Sequence, residues 1–563
     1  MDRRRGLIVL ACAALVAVLA APGAVARQRV TQEVSERPSR VLVLVLDGMR
    51  ADYLDRFDLP NLRALRDGGV SFTRSQVGYM ASITVISHNV IASGLLPKHQ
   101  GWSDEILRDV NNRLGGGPGA LYVMSSASCS DFALLATGYP KLEDYLGSLE
   151  GDGDARFVSV ATKDRSACGV GQPADANDVV IGMARLSSPG ITCDGILQRW
   201  RFPRGVNVPT AMDAACSRFY VDSLESYGTA TTSPAQMYPL DGNRFVPGFD
   251  QTRLGGDVWS ADAALEVMRS DFLDADDDDW RGLFVGLAGA DKMAHMWGPD
   301  DDVTGDEGSV DDMIHLPGAL ETVDEQVGRI LDELEVEGLL DETLIVVSAD
   351  HGMTQADTFH GIDGPGRGDF NWYFGAETGT RADESYLAPS PAIADLAARI
   401  GDNLAFSYQD AHVAVYLKDA SGKAKKEAAK AMRSLPSAIA TFTLNDAQNA
   451  FVSDWVSKSM TKAERDWFTK NGQRLVNTMA APYGPDAVAL LKNRTTYSVE
   501  GDHGGHQQDI QSIPILFSWP GLAPTVFDAP ITNVDILPTI LDLLGIAPTA
   551  PLDGQAFELP LAG

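Results

Sequence analysis

Apolar residues gather in short, largely unbroken runs: Val41 to Leu46, Phe157 to Ala161, Leu283 to Leu287, Leu344 to Val347 and Ile515 to Phe517. Runs of this kind suit strands buried on both faces of a parallel sheet. Between them lie segments of helical period. The clearest places Leu320, Val323, Val327, Ile330, Leu331 and Leu334 along one face. Strands alternating with helices predict an α/β fold, a doubly wound and mostly parallel sheet flanked by helices. At 563 residues the chain exceeds one simple core, so the expectation is a single large domain with insertions.

Two stretches break the rhythm. Residues 102–255 contain Cys129, Cys168, Cys193 and Cys216, many Gly and Pro, and little periodicity. Residues 364–500 contain HVAVYLKD, a Lys/Ala-rich helix from Ala424 to Leu435, and IATFTL, which together predict a small α/β lid. The acidic run Asp274 to Asp279 reads as a solvated loop rather than a calcium site. No internal repeat is present.

The amino terminus has its own signature. Arg3, Arg4 and Arg5 precede the apolar run Leu7 to Ala20 and the small-residue site Ala24-Val25-Ala26. This reads as an export signal over residues 1–26, followed by a polar tether, 27–39, and a catalytic domain, 40–563. The arginines permit a twin-arginine route only weakly. A lipoprotein at Cys12 is rejected, because almost no hydrophobic region precedes it. The apolar run is short for a spanning helix and ends in Pro22-Gly23, and no later segment is long and apolar enough to span. An exported chain, periplasmic or extracellular, with an even number of mature cysteines favours two disulfides over zinc thiolates, with three pairings open.

Composition is ordinarily globular, 44% hydrophobic and 22% charged, but the net charge is -31. Such a field argues against nucleic-acid polymers and anionic membranes as partners. An anionic substrate would need bound dications to reverse the potential locally.

Candidate chemistry sits where the apolar runs end. Ligands of open α/β sheets bind beyond the carboxyl ends of the strands, and Asp47, Asp291 and Asp350 each follow a run. One such aspartate is ordinarily a turn former or cap. Histidines at short offsets change that reading. His295 lies four residues after Asp291, on the same helical face, His351 adjoins Asp350, and His503 sits in the glycine-rich GDHGG. Oxygen and nitrogen donors without thiolate suit zinc, with manganese as the alternative. His360 and His506 read as core histidines or as partners of the ligands. In MASITVISHNVIASG, a helix compatible with the sequence from about Ser82 puts Ser82 and Thr84 near an amino end that favours anions. Taken alone, Ser82 is a plain helix cap.

The ordered set LDGMRADYL, LPNLRALRDGGVSF, Ser82 to Gly101, GGDVWSADAALEVM, ADKMAHMWGP, VVSADHGM, GDHGG and NVDILPTILDLLGI resembles the alkaline phosphatase superfamily in its nucleotide pyrophosphatase/phosphodiesterase branch. It is also similar to the phosphate-irrepressible alkaline phosphatases. The resemblance implies two zinc ions. Asp291, His295 and His503 would hold one; Asp47, Asp350, His351 and the nucleophile would hold the other. The nucleophile implied, six residues before His88, is Ser82, with Thr84 as the alternative.

Lys163-Asp164-Arg165 reproduces the family's lysine and arginine that grip a terminal phosphoryl group, which favours a phosphomonoester substrate. One departure stands against this. Where the family places a phosphoryl-contacting asparagine, this chain has Glu105, or Asp104 with a one-residue slip. A carboxylate there repels phosphate unless protonated, paired with Lys163 or Arg165, or bridged by a third cation. The expected function is an exported metal-dependent phosphoric ester hydrolase working through a serine phospho-enzyme on a small phosphate ester. The alternatives are a phosphodiesterase or nucleotide pyrophosphatase and, in another class, a secreted metal-binding pseudoenzyme. A sulfatase is disfavoured, because the residues after Ser82 lack the proline and arginine that mature a formylglycine. A phosphoethanolamine transferase is disfavoured for want of spanning helices.

Overall fold

The computed structural model describes residues 37–124, 129–136, 138–147, 156–161, 163–171, 178–182, 256–269, 280–300, 315–356, 358–359, 391–497 and 501–562. The signal, the tether to residue 36, Asp274 to Asp279, Cys193, Cys216 and His360 lie outside them.

The apolar runs become strands of one eight-stranded sheet. In chain order these are β1 (Arg40–Leu46), β2 (Val70–Gln76), β3 (Arg156–Ala161), β4 (Asp178–Gly182), β5 (Trp280–Leu287), β6 (Thr343–Ser348), β7 (Ile515–Ser518) and β8 (Thr525–Thr532). Their spatial order is β8-β2-β7-β6-β1-β5-β3-β4. Every residue of β1 is buried, as a strand covered on both faces requires. β8 instead alternates between shielded and exposed positions and carries Pro530, a residue tolerated at a sheet edge because it lacks a ladder donor. The expected helix Leu320 to Leu334 lies within the helix His315–Val336, which packs against the helices Gly256–Arg269 and Gly289–Trp297.

The sheet is mostly parallel, as expected, apart from one strand. β7 pairs antiparallel with both β6 and β2, whereas β1, β5, β6 and β3 are mutually parallel. Its all-apolar run reports burial on both faces and is blind to direction. The segment 102–255 is not simply inserted, since it supplies β3 and β4 to the main sheet. The run Phe157 to Ala161 becomes β3 as expected, and β4 alone was hidden, a short strand in a stretch of low periodicity.

Residues expected to form the lid build a five-stranded antiparallel sheet, ordered Leu404–Gln409, His412–Leu417, Ala487–Leu491, Ala438–Asn445, Ala450–Val456. The strand His412–Leu417 shows why it adheres to the main body. Alternation sends Val413, Val415 and Leu417 into a second apolar core and Ala414 and Tyr416 into the first. Among the described residues no helix is long and apolar enough to cross a membrane.

Gly48 closes β1 with φ +77°, and a Cβ there would stand 2.7 Å from Asp291 Cα. Both the backbone conformation and the close approach demand glycine. Gly48→Ala is expected to destabilise by about 2 kcal/mol or more, seen as a lowered Tm.

Candidate active site

β5, β1 and β6 are adjacent and parallel, so the residues following them emerge at one edge. Asp47 follows β1. Its amide donates to Leu287 O at 2.8 Å, and the Asp291 amide donates back to Asp47 O at 3.1 Å. Asp350 follows β6, and its Oδ1 accepts from the Gly48 amide at 3.2 Å. Asp291 and His295 share a face of the helix Gly289–Trp297, with the His295 Nε2 3.1 Å from Asp291 Oδ1. Since β7 runs antiparallel, the loop preceding it returns to this same edge and delivers His503.

The structure therefore gathers two buried triads, Asp291/His295/His503 and Asp47/Asp350/His351. They touch: the His351 and His503 rings stack with centroids 3.6 Å apart, and His351 Nε2 is 3.9 Å from Asp291 Oδ1.

The donor chemistry fits divalent metals. His295 Nδ1 lies 2.8 Å from Gly501 O, His503 Nδ1 3.1 Å from Ser82 O, and His351 Nδ1 3.1 Å from Gly352 O. A carbonyl only accepts, so each Nδ1 carries the proton and each Nε2 presents a lone pair. Those lone pairs converge on carboxylate oxygens, as in His351 Nε2 at 3.5 Å from Asp47 Oδ1 and 3.4 Å from Asp350 Oδ2. Acceptors facing acceptors need a proton or a metal ion between them. Consistently, His351 Nε2, Asp350 Oδ2 and Ser82 Oγ are buried with no hydrogen-bond partner. Burial pushes His351 down to about 3 and His503 well below its ordinary value, so both imidazoles are neutral. The Asp350 carboxyl is held well above the ordinary range by burial first and by the Asp47 charge second.

Lys163, just before the helix Asp164–Val170, places Nζ 2.6 Å from Asp47 Oδ2, 2.7 Å from Asp291 Oδ2 and 3.3 Å from Thr84 Oγ1. Burial lowers its proton affinity, but the two carboxylates outweigh that and raise it overall. Arg165, also buried, is near enough for its charge to act on Lys163. The ammonium is the protein's own countercharge between the triads. Breaking such a pair costs about 3–5 kcal/mol. Lys163→Met is therefore expected to lower the Tm of chelator-treated protein strongly, and that of metal-loaded protein less.

The helix beside the triads begins at Thr84, not at Ser82, and runs to Ser93 with every residue buried. Ile83 caps it in an extended conformation, which leaves Ser82 in the preceding loop. Thr84 is thus the hydroxyl on the helix amino end, and it is the one in contact with Lys163. Ser82 contributes its carbonyl to His503. His88, pushed down to about 4 chiefly by burial, donates from Nδ1 to Thr84 O at 2.6 Å and positions the first turn.

Several site residues were missed in the sequence. Asp257, within the motif GGDVWSADAALEVM, accepts from the amides of Ala288 at 2.7 Å and Gly289 at 3.0 Å, fixing the entry to the helix of Asp291 and His295. Burial pushes its carboxyl up to about 6 against the pull of those amides. Asp257→Ala strands buried donors and is expected to cost about 1–3 kcal/mol, measurable by denaturant unfolding. A second acidic group lies against His503: Asp410 and Asp502, neither singled out in the sequence, with Asp104 and His412 alongside. The signal available was Asp410-Ala411-His412 opening a strand and Asp502 adjoining His503. His506 is buried and joins neither triad. Cys168 is buried, and the expected disulfides extend beyond the described residues.

The chain belongs to the type I phosphodiesterase / nucleotide pyrophosphatase family, whose model matches residues 41–113 and 219–506. It is accordingly a phosphoric ester hydrolase within the alkaline phosphatase superfamily. No curated protein sequence matches it. Among solved structures, a mutant of alkaline phosphatase PafA is similar at a TM-score of 0.62 and 16% identity over 92% of this chain and 98% of that one. Wild-type PafA gives 0.58 and 15% over the same shares. Murine ectonucleotide pyrophosphatase/phosphodiesterase 5 gives 0.51 and 13% over 92% of this chain and 97% of that one, and an inactive form of it is complexed with AMP. At these identities the likeness is one of fold.

Proposed function

We propose that the protein is an exported, two-zinc phosphoric ester hydrolase that prefers small phosphomonoesters and forms a phospho-enzyme on Thr84. The observation that carries this reading is the Thr84 hydroxyl, on a helix amino end, joined through Lys163 to carboxylates of both triads. Asp291, His295 and His503 would hold one metal; Asp47, Asp350 and His351 would hold the other. When bound, such dications supply Lewis-acid stabilisation of the charge on the attacking and leaving oxygens.

The chain's own residues supply the rest. Thr84 gives up its hydroxyl proton to solvent and its Oγ1 attacks phosphorus in line, forming the new P–O bond as the ester P–O bond breaks and the leaving oxygen takes a proton from solvent. Water then attacks the phosphothreonine, returning Thr84 and releasing phosphate. The helix starting at Thr84 would present its first-turn amides to the phosphoryl group. Lys163, beside Thr84, and Arg165 would contact non-bridging oxygens, which stabilises a dianion more than a diester monoanion. Ser82, the first candidate for the nucleophile, is assigned instead to positioning His503 through its carbonyl.

The family favours a second reading, a phosphodiesterase. Turnover of an aryl phosphate and of its methyl aryl diester by the zinc-loaded protein separates the two. The proposal expects the higher kcat/KM for the monoester, and Lys163→Ala should reduce that reaction more than the diester reaction. A preference for the diester, undiminished in Lys163→Ala, selects the second reading. Zinc retention without turnover of either ester selects the pseudoenzyme. Export predicts a mature amino terminus near Arg27, which mass spectrometry of the secreted chain reads directly.

A further inference from the structure

Residues 77–83 are neither helix nor strand, yet they carry the chain from β2 to Thr84 at the start of its buried helix. A second irregular loop, 503–507, carries His503 into its triad. How Thr84 stands against that triad depends on how these two loops are held together. They meet directly once, where His503 Nδ1 donates to Ser82 O at 3.1 Å.

A second link between them is a single side chain. Gln511 closes the short helix Gln508–Gln511 ahead of β7 and is fully buried. Its Oε1 accepts from the Gly78 amide at 3.2 Å, while its Nε2 donates to Tyr79 O at 2.9 Å and to Gly505 O at 2.8 Å. A carboxamide nitrogen has only these two protons, and each loop takes one. The partners also fix which way the amide faces, because a carbonyl only accepts and a backbone N–H only donates. The main chain repeats the attachment, with the Val77 amide donating to Gln511 O at 2.8 Å.

Burial makes this link demanding. An apolar residue at 511 would strand the Gly78 amide and the carbonyls of Tyr79 and Gly505, and each would regain a partner only by loop movement or by entry of water. Movement of the first loop shifts Ser82 O, which orients the His503 ring, and the start of the helix that presents Thr84. Gln511 contacts no metal-ligand side chain, so its influence passes through the two loops.

We propose that Gln511 is a positioning residue: it sets the spacing between the loop leading to Thr84 and the loop carrying His503. The inference rests on the proposed hydrolase reading and extends it to a residue outside the triads. Misplacing an attacking group by about 1 Å costs about 10²-fold in rate. Lys163 and Arg165, which would grip the phosphoryl group, lie at another helix and keep their places, so the loss should fall on kcat rather than KM.

The test compares metal-loaded, full-length wild type with Gln511→Leu and with Gln511→Glu, which keeps the shape and the acceptor but turns an oxygen toward two carbonyls. Ser75→Ala is the control: Ser75 Oγ donates to Ile513 O at 2.6 Å, close to Gln511 in the chain but in neither loop. Its loss should lower Tm and nothing else. For each protein, kcat and KM are measured on an aryl phosphate, and the visible absorption of the cobalt-substituted form reports the ligand geometry around His503. Both Gln511 variants are expected to load both triads, to lose about 10²-fold in kcat with KM within about threefold, and to shift the cobalt spectrum. Variants that behave as Ser75→Ala does, losing Tm alone, overturn the proposal. So does failure of both to fold, which would make Gln511 a residue of the fold only. Failure of the hydrolase reading is distinct: wild type would then turn over no phosphate ester, while the cobalt spectra would still report whether the His503 loop had moved.

Discussion

Thr84→Ala is expected to lower kcat by about 10⁴-fold or more, the scale on which removing a covalent nucleophile acts. Ser82→Ala should cost at most about tenfold, since it leaves the carbonyl that orients His503 in place. Thr84→Ser should retain much of the activity, because the hydroxyl and its position at the helix start survive. Rapid quenching with a labelled aryl phosphate should trap a phosphoryl group on Thr84 in wild type and none in Thr84→Ala. A dead Ser82→Ala beside an active Thr84→Ala would return the nucleophile to Ser82. The contact with Lys163 at 3.3 Å is the geometry behind the preference.

Metal removal should have the second large effect. Ligands that bind only the folded state stabilise it by mass action, about 4 kcal/mol per site at a thousandfold excess over Kd. Chelation should accordingly abolish turnover and lower Tm by several degrees, and zinc should restore both. Asp291→Asn should mimic chelation at its triad. Loading should also depend on pH with a definite sign. The Asp350 carboxyl is held above its ordinary range in the metal-free protein, so a metal must displace its proton. Affinity at the Asp47/Asp350/His351 triad therefore falls as pH drops, with proton release seen by calorimetry in buffers of different ionisation enthalpy. His351, pushed down to about 3, is already neutral and adds no competition until well below pH 5.

The sequence was most legible where one physical cause acts alone. Burial on both faces dictates an apolar run, so Val41 to Leu46 and Leu283 to Leu287 read directly as strands. Parallel neighbours then bring Asp47, Asp291 and Asp350 to one edge. A helical offset of four dictates that Asp291 and His295 share a face. Legibility fails where the cause is tertiary. Nothing local distinguishes the antiparallel β7 from its parallel neighbours. The two-residue difference between Ser82 and Thr84 depends on where the buried helix begins, and all of its residues are shielded, so periodicity gives no boundary. His412 reads as the first residue of an ordinary strand until Gly504 O fixes its ring from 92 residues away. Lys163 reads as a phosphate contact, yet with its neighbours present it rests between two acids of the triads.

Anomalous diffraction from crystals of the zinc-loaded protein would locate the metals. Two neighbouring peaks are expected at the zinc edge, one among Asp291, His295 and His503, the other among Asp47, Asp350 and His351 with Thr84 Oγ1 beside it. Fully loaded, active protein with no peak at either triad, or with its zinc bound elsewhere, would contradict the two-metal site.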